Sequence, residues 1–244
     1  MNRNHFLKTL GLSGILVSIF PIKSFAFIQN KFTRDELIGK GNPSLLGEKF
    51  KMQKDAYASF LKMKAEASKE NINIELVSAY RSFEKQKQIF ENKYRLFISE
   101  GLPPLEAIHK IIEYSTIPGT SRHHWGTDID IIDTNAPRPE SVLEEEHFYG
   151  NGPYCKLKEW LNKNATSFDF YEVYTNNPDR KGFKYEPWHF SYAPISKSML
   201  QEYKKLDLKK VFQEENILGN EYFTNEFLNQ YRNEQILDIN PELL

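Results

Sequence analysis

Cysteine is almost missing from this sequence: there is one, Cys155, in 244 residues. That excludes an internal disulfide and any Cys-rich zinc site. An excess of charge of one sign is lacking too. The chain carries 32 Lys plus Arg against 33 Asp plus Glu, a net charge of −1, so nothing suggests the basic face that a nucleic-acid partner requires. There is no internal repeat and no low-complexity stretch. Hydrophobic residues at 40% and charged residues at 27% exclude wholesale disorder, collagen and a multi-span membrane protein. A chain of this length buries a full core and reads as one domain with appendages. Aromatics, by contrast, are plentiful. The 13 Tyr and 18 Phe suit a strand-containing core or an aromatic-lined cleft.

The start of the chain reads as an address. Arg3 and Lys8 give a basic beginning, and Thr9 to Ile22 is apolar but too short to span a bilayer comfortably. Ser24-Phe25-Ala26 offers small residues where a signal peptidase reads. Residues 1–26 are therefore expected to be a secretory signal. The general route is favoured over the twin-arginine one, because a second Arg is missing. Without Arg3, Lys8 and Lys23, 29 cations remain against 33 acids, a net −4. The expected product is exported to the periplasm or envelope, monomeric, with no transmembrane span and no disulfide to stabilise it.

Periodicity divides the remainder. Residues 27–44 form a polar lead. Leu45 to Ser68 shows apolar residues at helical spacing and predicts a helix. Ile72 to Ser78 alternates with period two, as a strand does, and Arg81 to Glu100 returns to helix. A short helix over Leu105 to Tyr114 follows the break at Gly101-Leu102-Pro103-Pro104. A strand is expected over Thr127 to Ile132, a helix over Tyr154 to Ala165, and strands over Phe170 to Thr175 and Trp188 to Tyr192. Thr134 to Gly152 looks like a loop excursion, with Glu144 to Glu146 as a solvated face. Residues 194–244 look like a charged helical extension whose Leu200, Tyr203, Leu206, Val211 and Phe212 can pack on the body. The fold class is α+β: a small antiparallel sheet flanked by helices, here across residues 45–193.

Two segments and one upstream patch carry chemistry: Ser121-Arg122-His123-His124-Trp125-Gly126-Thr127-Asp128-Ile129-Asp130, then Glu186-Pro187-Trp188-His189, and Ser78-Ala79-Tyr80-Arg81-Ser82. A hydrolytic zinc site needs three N/O ligands and one open position for water. A histidine of the first segment, Asp130 and His189 would supply two imidazoles and a carboxylate, a donor set suited to zinc or another first-row divalent ion. His123 and His124 are near-equal rivals on the residues alone, since neighbouring side chains point apart and both cannot bind one ion. In a strand, Asp128 and Asp130 share one face and Ile129 and Ile131 the other. Glu186, three residues before His189, could move the proton of an activated water. The blander readings are a core role for His189 beside Trp188, a turn cap for Asp130, and a surface ion pair for Arg81.

These segments resemble the zinc D-alanyl-D-alanine carboxypeptidases and dipeptidases, the LAS-type metallopeptidases that include the vancomycin-resistance enzymes. Ser121, His123, Gly126, Asp128 and Asp130 fill their Ser-x-His-x-x-Gly-x-(Ala/Asp)-x-Asp motif. Glu186 and His189 fill Glu-x-x-His, and Tyr80, Arg81, Ser82 and Gln86 match the upstream pattern. The resemblance runs from about Lys54 to about Tyr192. It implies a Hedgehog/DD-peptidase-like zinc fold with His123, Asp130 and His189 as Zn2+ ligands. It implies Glu186 as catalytic base, Arg81 as the oxyanion partner, and Ser121, Gln86, Tyr80 and Trp188 around the substrate. The implied substrate is a peptidoglycan stem peptide cut at a bond involving D-alanine. An endopeptidase, an L,D-carboxypeptidase, a dipeptidase or a non-catalytic wall-binding zinc module are the rivals. The sequence departs from the pattern at Asp128, where relatives often carry a small residue, and at Asp169-Phe170, where Gly-Phe is expected. The 134–152 loop and the segment after Pro194 have no counterpart in it.

Overall fold

The structure, a computed structural model, describes residues 32–244; the expected signal segment lies outside them. The chain opens with α1 (Arg34–Ile38), whose Thr33 and Glu36 form a reciprocal N-terminal cap. A two-stranded ribbon, β1 (Leu45–Leu46) and β2 (Met52–Gln53), leads into α2 (Lys54–Ser68). The helix expected from Leu45 therefore begins nine residues later. Gly47, at φ +119°, turns the chain so tightly that a Cβ there would lie 2.0 Å from the Phe50 carbonyl oxygen, and that hairpin displaces the first helical turns.

Next come β3 (Ile74–Ser78), α3 (Phe83–Ser99) and α4 (Pro104–Ile111). Ser82 starts α3 by accepting the Lys85 N–H. After a single 3₁₀ turn, Arg122–Trp125, the chain enters β4 (Asp128–Asp133). Then come α5 (Cys155–Asn164), β5 (Phe170–Glu172) and β6 (His189–Tyr192). The strand read as reaching Thr175 ends at Glu172. Asp169 enters β5 at φ +61°, the left-handed conformation a glycine would adopt freely and Asp tolerates. That conformation explains how Asp169 stands where Gly was expected.

The sheet is antiparallel with order β3-β4-β6-β5, so β4 and β6 are central. Every residue of β4 is buried. Ile129 and Ile131 pack in one apolar cluster with Ala56, Phe60, Leu157 and Trp160 of α2 and α5, which frees the alternate face for Asp128 and Asp130. A second cluster gathers α1, α3, α4 and the C-terminal helices α6 (Ala193–Tyr203), α7 (Leu208–Glu214) and α8 (Asn225–Tyr231). Leu200, Tyr203, Val211 and Phe212 are buried there. The architecture is a mixed helix-and-sheet fold with small antiparallel sheets. Among the described residues no helix is long and apolar enough to cross a membrane.

Candidate active site

The sheet register assembles the site. Asp130 on β4 stands opposite His189 on β6, and Asp128 opposite Ser191; opposed residues project from the same face. The third contributor arrives through the 3₁₀ turn. Gly126 ends that turn at φ +67° and redirects the chain into β4, leaving His123 above the strand that carries Asp130. His123 Nδ1 is held by the Ala79 carbonyl at 2.8 Å, so Nε2 faces Asp130 Oδ2 at 3.4 Å. His189 Nε2 donates to Asp128 Oδ2 at 3.0 Å, and Nδ1 lies 4.0 Å from Asp130 Oδ1. One ligand atom from each of His123, Asp130 and His189 lies within 4.8 Å of the others, and all three residues are buried. The two imidazoles thus offer opposite nitrogens, Nε2 of His123 and Nδ1 of His189.

The residues fit a divalent cation. Asp130 Oδ1 is buried without any hydrogen-bond partner, an arrangement that costs free energy unless something else meets the oxygen. The electrostatics point the same way. Burial alone would lower the His189 pKa, but the bonds to Asp128 and Glu186 and the charge of Asp130 lift it to about 10. A field that holds a proton so firmly also favours a metal ion, with two nitrogens and an oxygen available to bind it.

Asp128 sits behind His189, with no exposed surface. Its Oδ1 accepts from Thr127 Oγ1 (2.9 Å) and Ser191 Oγ (2.6 Å), and its Oδ2 from Arg122 Nε (2.9 Å) as well as His189. Burial pushes its pKa up, yet Arg122 and His189 outweigh that and hold it below the usual carboxylate range. The Asp128 carboxylate therefore fixes the His189 tautomer and ring plane. Arg122 also donates to Ser191 Oγ at 2.8 Å and lies over the Trp125 ring.

The neighbouring histidines have different surroundings: His123 is grouped with Asp130 and His189, and His124 is not. His124 is buried with Nδ1 2.6 Å from the Arg81 carbonyl and Nε2 accepting the Gly119 N–H at 3.1 Å. Burial lowers its pKa to about 3, so it is a neutral, fully bonded core side chain.

Glu186 Oε2 lies 2.8 Å from His189 Nδ1. A cleft of about 740 Å³ opens over these groups, and Arg81, Ser121, Glu186 and Trp188 line it. Arg81 is fixed by Gln86 Oε1 (2.9 Å) and Ser78 Oγ (3.1 Å). Gln86 is itself fully buried and donates to the Thr116 carbonyl at 2.7 Å, so it stands behind Arg81 and away from the cleft. Tyr80 also points elsewhere, its hydroxyl 3.4 Å from the Gly39 carbonyl. Leu143, Glu144 and Glu145 bring the 134–152 loop to the cleft rim. Sequence reasoning missed Arg122 and Tyr174. The Tyr174 ring packs edge-on to His189 at 5.2 Å, and nothing in its sequence surroundings signals this. Arg122 could have been found by asking which cation neutralises an aspartate on a buried strand face.

Two imidazoles, an aspartate, and a glutamate beside an open cleft make the centre of a metal-dependent hydrolase. The family model described as "VanY: D-alanyl-D-alanine carboxypeptidase" matches residues 49–195, and the chain belongs to that family. An uncharacterized protein of Haemophilus influenzae is 39% identical over 105 residues, 42% of this chain and 80% of that one. A D-alanyl-D-alanine carboxypeptidase of Enterococcus faecalis is 32% identical over 123 residues, 49% of this chain and 40% of that one. The chain thus matches less than half the length of that carboxypeptidase. Among solved structures, the LdcB LD-carboxypeptidase superposes with a TM-score of 0.51 at 27% identity, over 76% of this chain and 79% of that one.

Proposed function

We propose that this chain is a zinc carboxypeptidase that removes the C-terminal D-alanine from peptidoglycan stem peptides. The observation that carries the reading is the convergence of His123, Asp130 and His189 with the Glu186 carboxylate 2.8 Å from the ligand nitrogen of His189. His123, Asp130 and His189 would hold the zinc, which would supply Lewis acidity and make a water nucleophile available near neutral pH. Glu186 takes the proton from the attacking water and passes it to the amine as the C–N bond breaks. The Arg81 guanidinium, held from behind by Gln86 and Ser78, meets the carbonyl oxygen as negative charge develops there. Family membership and the match of both motifs support these roles. Residues 1–26 then serve as the export signal, since the substrate lies outside the cytoplasm.

The test is direct. Zinc-loaded protein releases free D-alanine from a pentapeptide stem, and a chelator stops it. Absence of release from any stem peptide refutes the reading. Cleavage of a tetrapeptide instead of a pentapeptide supports the second reading, an L,D-carboxypeptidase, which the likeness to the LdcB structure motivates.

A further inference from the structure

The loop between β5 and β6, residues 173–188, delivers Glu186; its two ends are tied to each other and to the sheet, with the Glu186 N–H on the Tyr174 carbonyl at 3.2 Å and the Glu186 carbonyl accepting the His189 N–H at 3.1 Å. Residues 177–185 contain Pro178 and Gly182 and form no regular element. Lys184 N–H reaches the Glu113 carbonyl at 3.2 Å, and the turn at residues 180–182 is tied to the far end of the chain, beyond the family match that stops at 195. Asp238 Oδ2 accepts two successive backbone donors, Lys181 N at 2.6 Å and Gly182 N at 3.0 Å. Arg180 donates through Nε to the Asp238 carbonyl at 3.1 Å, and its other nitrogens bond the Thr175 and Phe183 carbonyls at 2.8 and 2.9 Å. Arg180 thus gathers both limbs of the loop onto the tail. Gly182 lies so close to the tail that a Cβ there would come 1.7 Å from the Glu234 carbonyl oxygen. Asn240 adds Nδ2 to the Glu172 carbonyl (3.0 Å) and its backbone N–H to the Val173 carbonyl (2.9 Å).

The same tail grips the opposite side of the cleft. The Tyr231 hydroxyl accepts the Ile117 N–H at 3.0 Å and shares a hydrogen bond with Thr120 at 2.8 Å, just before Ser121 and His123. Tyr203 donates to the Gly119 carbonyl at 2.8 Å. All three partners, Ile117, Gly119 and Thr120, belong to the segment that leads into the metal-binding turn.

We propose that residues 194–244 are a brace for the catalytic centre and that Asp238 is a positioning residue for Glu186, acting through the backbone of Lys181 and Gly182. The inference rests on the role given to Glu186 above. Its physical basis is the steep dependence of proton transfer on placement: Glu186 can be present and still ineffective if its loop wanders by about an ångström. Asp238 touches neither ligand nor cleft, so its effect falls on turnover and spares metal binding.

The experiment compares zinc-loaded wild type, Asp238→Ala and Asp238→Asn, using the full chain. In Asp238→Ala, kcat for D-alanine release falls on the order of 10-fold to 100-fold, while KM and zinc affinity hold. Asp238→Asn, which keeps a side-chain acceptor for both N–H groups, recovers most of the rate. Hydrogen exchange at amides 181–186 quickens in the Ala variant and is unchanged at 128–133. Should Asp238→Ala fail to fold, Asn240→Ala removes a neighbouring tie and is read the same way. Unchanged kcat and exchange would overturn the inference, as would a parallel loss of zinc affinity. If the wild type released no D-alanine, the function proposed above would fail, and the exchange comparison alone would decide whether the tail holds the loop.

Discussion

Asp130 and His189 face each other across the β4–β6 ladder, and the bare Oδ1 of Asp130 stands 4.0 Å from His189 Nδ1. Neither atom reaches the other: His189 Nδ1 meets Glu186 Oε2 at 2.8 Å, and Asp130 turns its other oxygen, Oδ2, to His123 Nε2 at 3.4 Å. The pairing makes metal binding a property of strand register: sliding β6 by one residue would present Phe190 in place of His189.

Replacing His123 by Ala should abolish stoichiometric zinc binding, whereas His124→Asn should retain it. The second change disturbs two buried hydrogen bonds and should cost about 1–3 kcal/mol of stability. Metal analysis after dialysis, with denaturant unfolding, separates the two. Equal zinc loss in both variants would contradict the division drawn here.

Asp128→Asn should leave the fold intact but weaken zinc binding by roughly 10- to 100-fold, the usual effect of losing a carboxylate behind a ligating imidazole. Asp128→Ala should be worse, since it strands the buried Arg122 guanidinium, at a cost of about 3–5 kcal/mol. Competition titration against a chromophoric chelator measures the first effect and thermal melting the second.

Glu186→Gln should lower turnover by about 10²–10⁴ with zinc content unchanged, as expected for a lost proton carrier. Full activity in a zinc-replete Gln variant would assign proton transfer to another group.

Arg81→Ala should reduce kcat by about 10²–10³ if the guanidinium meets the developing oxyanion. Gln86→Leu should produce a smaller fall through the same channel, because Gln86 only holds Arg81 in place. A Gln86 variant that raises KM and spares kcat would instead put its amide against the substrate.

Zinc should also stabilise the fold. Free zinc at 100 times its Kd adds about 2.7 kcal/mol by mass action, and a chain of this size shifts its Tm by about 2–4 °C per kcal/mol. A chelator should therefore lower the melting temperature by several degrees, and an unchanged melting curve would deny that the folded state binds the ion.

Much of the site was legible because its members are close in sequence and their chemistry is scarce. Asp128 and Asp130 alternate with isoleucines, and a strand is the structure that puts both acids on one face. His189 follows Glu186 at a spacing that the β6 entry preserves. What sequence could not show was direction. Gln86 and Tyr80 flank Arg81 in a matching pattern, yet backbone geometry at the α3 cap buries one and turns the other toward Gly39. The helix expected from Leu45 failed for a local reason, the turn at Gly47. The ties from Asp238 and Tyr231 join positions 57 and 114 residues apart, a separation at which no periodicity speaks.

The centre is divided between two kinds of support. Asp130 and His189 ride on the inner strands, each flanked by a neighbour on both sides, while Glu186 rides on a loop moored to the chain's last turns. Gentle heating should act on these unequally, since openings begin where few bonds must break. The ion's seat would outlast the proton carrier's station, and a warmed sample could keep its metal after losing its rate.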